Sequence, residues 1–169
     1  METVILIALG SNIEPRDNLP SAVALLAEQL VIVAVSPVYA SPPVDAPGSP
    51  EFLNAVVKVR TNLGPRSLKF GLLRSVESRL GRRREKERNA PRTIDLDLIL
   101  FGDRVERAHD LELPDPALLT EAHVAVPAAD VAGGAVHPVN GKTLAELALG
   151  LESRLVERPA VVLVPAPLG

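Results

Sequence analysis

From Ile94 to Leu98 apolar and acidic residues alternate strictly, within the run Thr93-Ile94-Asp95-Leu96-Asp97-Leu98-Ile99-Leu100-Phe101. A period of two fits a strand with one buried face and leaves no helical stripe. Ile94, Leu96 and Leu98 then take the core, while Asp95 and Asp97 share the opposite face at roughly 6.5–7 Å. Two carboxylates so placed repel one another unless positive charge relieves them. Mg²⁺, which takes oxygen ligands and keeps its waters beside phosphates, is the usual remedy. A solvated strand face has the same alternation, so the pattern alone leaves both readings open.

The neighbouring residues favour the first reading. Arg79, Arg82, Arg83, Arg84, Lys86, Arg88 and Arg92 crowd the approach to this strand, interrupted by only two acids, Glu85 and Glu87. Seven of the chain's 18 Lys and Arg residues therefore lie next to the two aspartates. A guanidinium offers a planar fork of donors that matches phosphate oxygens, so an arginine loop feeding a two-carboxylate strand suits a metal–polyphosphate. Several of these cations would do no more than solvate the surface.

Charge and composition narrow the class. The net charge is −3 over 169 residues, so general attraction to nucleic acid is not expected and the basic patch must act locally. Cysteine is absent, which removes disulfides and thiolate metal sites. His109, His123 and His137 lack the short spacings of a zinc site. The run Val4-Ile5-Leu6-Ile7-Ala8-Leu9 is too short for a membrane span and reads as a buried strand, and a cytoplasmic location is expected. With 47% apolar residues, residues 1–169 should form one domain with its own core.

Along the chain the first strand is followed by a turn at Gly10-Ser11-Asn12 and a helix from about Asn18 to Gln29, with Asp17 or Asn18 as cap. Leu30 to Tyr39 reads as a second strand. Four prolines between Ser41 and Pro50 force a loop, and a third strand runs from about Phe52 to Thr61. Gly64-Pro65 opens a helix with Leu68, Leu72, Leu73, Val76 and Leu80 on one face, stopped at Gly81. The order strand, helix, strand, strand, helix, strand predicts an α+β fold of ferredoxin-like βαββαβ type, an antiparallel sheet with helices on one face. The C-terminal third should add helices, and Val161-Val162-Leu163-Val164 an edge strand. Gly141-Lys142-Thr143 resembles the end of a phosphate-binding P-loop, but the glycine required five residues before Gly141 is Val136.

Ala8-Leu9-Gly10-Ser11-Asn12, Pro37-Val38-Tyr39 before the proline loop, Phe52-Leu53-Asn54-Ala55-Val56, and Gly81-Arg82 ahead of Pro91-Arg92-Thr93-Ile94-Asp95-Leu96-Asp97 resemble the 6-hydroxymethyl-7,8-dihydropterin pyrophosphokinase family of folate biosynthesis. The resemblance covers most of the chain and weakens toward its C-terminal end. It implies a ferredoxin-like core and a Mg-dependent enzyme that moves the pyrophosphoryl group of ATP to the pterin hydroxymethyl oxygen, releasing AMP. On that resemblance Asp95 and Asp97 would hold two Mg ions, and Arg82 and Arg92 would clamp phosphates. Glu77 and Arg84 would lie on the nucleotide side, although Glu77 could equally be a surface residue paired with an arginine. Leu98 would line the adenine pocket or fill core. Asn54 would hydrogen-bond the pterin with Phe52 stacking on it, while Ser41, Pro42 and Val44 contribute loop contacts. The expected partners are ATP and a reduced pterin, with no nucleic acid and no membrane, in a monomer or weak homodimer.

Three positions depart from the family pattern. Asp115 stands where a histidine is usual, Glu121 where an arginine is usual, and His123 where a second stacking aromatic is usual. An inward Glu121 would oppose an anionic substrate, so a homologue that binds pterin or nucleotide in a non-catalytic or retuned role is the alternative to an active enzyme. A nucleic-acid-binding module of the same fold would need exposed aromatics, and this chain has three Phe, one Tyr and no Trp.

Overall fold

Strand β1 (Ile5–Ser11) lies between β4 (Phe52–Arg60) and β5 (Asp95–Phe101), antiparallel to both. The computed structural model describes residues 3–41, 51–81, 93–159, 161 and 163. On its far side β4 pairs with β2 (Val31–Val35) and β3 (Tyr39–Ser41) in succession, and β3 pairs with β8 (Val156–Glu157), completing six strands. The second strand expected from Leu30 to Tyr39 is thus two strands. Pro37 cannot donate to a ladder, and Ser36 makes good the break. Its N–H donates to the Val56 carbonyl at 3.0 Å, and its Oγ accepts the Val56 N–H at 2.9 Å.

Helix α1 (Pro15–Ala27) starts three residues before the expected Asn18 and ends before Gln29. Pro15 occupies the first turn, where a missing N–H costs nothing. Asn18 does not cap the helix; its amide donates back to the Ile13 carbonyl at 2.6 Å. Leu19, Val23 and Leu26 are buried, as their spacing predicts. The second helix opens as a π-helical segment, Ser67–Leu73, and continues as α2 (Arg74–Arg79). Gly81, with φ of 81°, follows its end.

α1, the π segment and α2 cover one face of the sheet, burying Ile5, Ile7, Leu9, Val57, Leu96 and Leu98 among Leu19, Leu26, Leu68 and Val76. The helices expected in the C-terminal third cover the other face. α3 (Ala117–Thr120), α4 (Ala122–Ala132) and α5 (Leu144–Ala148) pack Leu118, Val124, Ala128 and Leu144 on Leu6, Ala8, Val56, Ile99 and Leu100. The β1–β5 register slips so that Leu98 faces Ile7 and Leu100 faces Leu6, a bulge that turns both Ile99 and Leu100 to this second core. Asp95 and Asp97 lie ahead of the bulge, beyond the cover of that core.

One C-terminal expectation is corrected. Of the edge strand expected over Val161 to Val164, the described Val161 and Leu163 have no strand assignment and are buried in the first core, Val162 and Val164 lie outside the described residues, and β8 takes the edge. Gly141-Lys142-Thr143 is a turn and a helix cap. Gly141 has φ of 81°, Val136 bridges Thr143, and Thr143 exchanges capping hydrogen bonds with Glu146 at the start of α5. The hairpin of β6 (Glu106–Ala108) and β7 (Leu111–Leu113) had no clear signal in its short, charged sequence. Among the described residues no helix is long and apolar enough to cross a membrane.

Candidate active site

Strand register alone assembles a row of polar positions across the sheet. Asp95 on β5 is opposite Gly10 on β1, Gly10 is opposite Asn54 on β4, and Asn54 is opposite Tyr39 on β3. Paired residues project to the same face, so these four share the face opposite α1 and α2. Asp97 adjoins this row, opposite Ala8. Asp95 is half-buried and Asp97 exposed, whereas Ile94, Leu96 and Leu98 are buried on the other side.

Gly10 provides the floor between carboxylate and amide. A Cβ built on it would lie 3.2 Å from Asn54 Oδ1 and 4.0 Å from the Phe52 ring. Asn54 is 5% exposed, and its Nδ2 donates to Ser41 Oγ at 2.7 Å, which leaves Oδ1 toward the glycine. Phe52 sits two residues earlier on the same face, opposite Ser41. The structure thus brings together Ser41, Phe52, Asn54, Asp95 and Asp97. Pro42, Val44, Arg82, Arg84 and Arg92 lie outside the described residues.

Two devices fix the aspartate strand. Ser11 Oγ lies 2.6 Å from the Thr93 carbonyl and 3.1 Å from that of Ile13, so it donates toward both and ties the Gly-Ser-Asn turn to the entry of β5. Glu77 is 4% exposed, and its Oε2 accepts the Leu96 N–H at 2.9 Å. This contact corrects the surface reading of Glu77. The carboxylate satisfies a backbone donor midway between Asp95 and Asp97.

The departing residues gather at the same end. Asp115 donates its N–H to the Ile99 carbonyl at 2.9 Å, and its Oδ1 accepts the Ala117 N–H at 2.9 Å. Burial pushes its carboxyl above the ordinary range, the Ala117 N–H opposes this, and Glu112 and Asp95 add to the rise. Lys69, which the sequence reading passed over, partly offsets it and donates to the Asp110 carbonyl at 2.6 Å. His123 opens α4 half-buried. Burial lowers its pKa, while Glu121 and Asp95 pull the other way. Glu121 is more than half exposed and its Oε2 lies 3.8 Å from His123 Nδ1, an ion pair only when the imidazole is protonated.

Among the described residues no three or more His, Cys, Asp or Glu converge as a metal cage. Two carboxylates on one strand face have the chemistry of a partial oxygen shell, of the kind Mg²⁺ completes with phosphates and water. Another unforeseen feature lies on the π segment, where Arg66, Lys69 and Arg74 surround the Phe70 ring at 5.9, 5.2 and 4.6 Å.

Comparison with known proteins places this arrangement. The 7,8-dihydro-6-hydroxymethylpterin-pyrophosphokinase (HPPK) family model matches residues 6–133. The chain is 36% identical over 157 residues to the 2-amino-4-hydroxy-6-hydroxymethyldihydropteridine pyrophosphokinase of Pseudomonas aeruginosa, covering 91% of this chain and 95% of that protein. It is 34% identical over 143 residues to a folic acid synthesis protein of Pneumocystis carinii, covering 83% of this chain but only 19% of that longer one. A crystal structure of Plasmodium falciparum HPPK-DHPS superposes with a TM-score of 0.71 at 14% identity, over 90% of this chain and 43% of that one, and supports the fold. The match through β1, β4 and β5, which build the polar row, establishes that the chain belongs to the 7,8-dihydro-6-hydroxymethylpterin-pyrophosphokinase family.

Proposed function

We propose that this chain carries out the reaction of its family, transfer of the pyrophosphoryl group of ATP to the hydroxymethyl oxygen of 6-hydroxymethyl-7,8-dihydropterin with release of AMP, using Asp95 and Asp97 to hold Mg²⁺ at the point of transfer. One observation carries the assignment: the Asp95–Gly10–Asn54 row places a carboxylate and a buried amide on either side of a glycine floor. The Asn54 side presents both an amide acceptor and the Phe52 ring, which suits a flat heterocycle with donors on its edge. Asp95 and Asp97 on the other side would hold two Mg ions shared with the ATP phosphates. Mg²⁺ bound there would neutralise phosphate oxygens and acidify the attacking hydroxyl.

The residues around this centre supply positioning. Glu77 holds β5 through Leu96, and Ser11 holds its entry through Thr93, so the two carboxylates approach the substrates from a fixed strand. Arg82 and Arg92 would clamp the phosphates, with Arg84 on the nucleotide side. His123 lies near the Asp95 end of the row and would cover the pterin in place of an aromatic. Glu121 lies beside His123 and is more than half exposed, an arrangement compatible with turnover despite the reversed charge.

AMP release from ATP, 6-hydroxymethyl-7,8-dihydropterin and Mg²⁺, measured beside Asp97→Ala, tests this reading. AMP formation should require the pterin and fall by at least about a hundredfold in the variant, the scale of a lost charge-stabilising group. Pterin or ATP binding without AMP release would instead favour a homologue that has lost turnover. Asp115, a half-buried carboxylate whose charged form is disfavoured by burial and, to a lesser degree, by Glu112 and Asp95, would then be the first residue to revert toward the family pattern.

A further inference from the structure

Helix α4 crosses the sheet face that carries the polar row, and its two ends meet opposite ends of that row. His123 at its start lies within electrostatic reach of Asp95. Asp130, seven residues on and therefore on the same helical face, accepts a hydrogen bond from Tyr39 Oη at 2.5 Å. Tyr39 ends the Asp95–Gly10–Asn54–Tyr39 row. Between these points the helix rests on the sheet through apolar contacts, Val124 and Ala128 over Ala8 and Val56.

Two further observations make the Tyr39 contact decisive for the other end. Pro127 lies inside α4 and has no N–H, so the His123 carbonyl lacks the helical donor it would otherwise receive from residue 127. The turn carrying His123 is therefore less firmly held and follows the placement of the helix body. Tyr39 itself stands among acids: Glu157 is opposite it on β8, and Asp130 and Glu152 also act on its hydroxyl. Loss of the phenolic O–H would remove this hydrogen bond to the Asp130 carboxylate.

We propose that Tyr39 and Asp130 are positioning residues for the pterin pocket: their hydrogen bond fixes α4 across the sheet and thereby sets the height of His123 above the Gly10 floor. The inference rests on the functional reading above. It separates binding of the two substrates, since Gly10, Asn54 and Tyr39 make up the pterin side of the row, whereas the phosphates would be held by Asp95, Asp97 and the arginines.

The test uses the full chain and its Tyr39→Phe, Asp130→Ala, Asp130→Asn and His123→Ala variants. The Kd of 6-hydroxymethyl-7,8-dihydropterin is measured by calorimetry with Mg²⁺ and a nonhydrolysable ATP analogue, and the analogue's own Kd is measured separately. Tyr39→Phe and Asp130→Ala should each weaken pterin binding about five- to tenfold and leave the analogue's Kd within about twofold. Asp130→Asn, which keeps an acceptor, should retain most of the affinity. The Tyr39→Phe/His123→Ala double variant should bind pterin no more weakly than His123→Ala alone, because Tyr39 acts through His123. Additive losses, equal weakening of pterin and nucleotide, or unchanged pterin affinity in Tyr39→Phe would overturn the inference while leaving the functional reading intact. A wild-type chain that binds the analogue but no pterin would overturn that reading and this inference together.

Discussion

At Gly10 the absent side chain is the functional feature. Any β-carbon there would press on Asn54 Oδ1 at 3.2 Å and fill the hollow between Asn54 and Asp95. The backbone at Gly10 needs no left-handed conformation, so Gly10→Ala should fold with a stability change below about 1 kcal/mol, as expected for a small substitution without backbone strain. Its pterin Kd should rise on the order of tenfold, about 1.4 kcal/mol, with nucleotide affinity nearly unchanged; calorimetry with each substrate checks this. An equal loss for both substrates would show that the hollow is not the pterin floor. Glu77 makes the complementary case, a charged residue whose importance is a backbone bond. Glu77→Gln keeps an acceptor for the Leu96 N–H and should stay near wild type in urea unfolding. Glu77→Ala strands that buried donor and should cost about 1–3 kcal/mol, with a fall in AMP release as β5 loosens.

At the scale of elements, the break between β2 and β3 shows how one side chain can keep a ladder intact across a proline. Ser36→Ala removes the acceptor of the buried Val56 N–H, and Val56 lies in the core beneath α4. We expect a loss of about 1–3 kcal/mol in urea unfolding, with the rate of AMP release at low temperature little changed because no substrate group is touched. The same element marks the limit of what the sequence discloses. Leu30 to Tyr39 is apolar enough to read as one strand, and only Pro37 hints at the interruption. The β5 strand was legible because alternation fixes both its conformation and its faces, so Asp95, Asp97 and the buried Ile94, Leu96 and Leu98 were placed correctly. The register that brings Asp95, Gly10 and Asn54 into one row was not legible, since pairing between distant strands leaves no local mark. Nor was the burial of Glu77, because a carboxylate on a helix reads as solvated until its backbone partner is known. Helices in the C-terminal third were expected from their apolar patches, but their packing on the second face was not legible, for a related reason. Ala125, Val126 and Ala128 are apolar without a narrow stripe, and their small side chains signal close packing only once the sheet beneath them is known.

For the whole molecule, pH should act on stability chiefly through buried imidazoles. His137 is 2% exposed; its Nδ1 accepts the Asn140 N–H at 2.9 Å and lies 3.3 Å from the Val139 N, and its Nε2 has no hydrogen-bond partner among the described residues. Protonating Nδ1 would break those bonds, and burial already holds the His137 pKa below its ordinary 6.5. His123 is lowered as well, again mainly by burial. A histidine with a depressed folded pKa binds fewer protons when folded than when unfolded. Its stabilising contribution is therefore complete above the unfolded value and is lost as pH falls from about 6.5 toward the folded value. The free energy of unfolding should accordingly decline between pH 7.5 and 5.5, each group contributing at most about 1.4 kcal/mol per pH unit. His137→Asn places an amide oxygen near the position of Nδ1, so it can keep the backbone bonds while removing the titration. Urea unfolding of this variant across the same range should show a shallower pH slope than wild type, with His123→Gln removing a further share. An unchanged slope in His137→Asn would place the proton-sensitive group elsewhere and leave the imidazole as a purely structural plug for its loop.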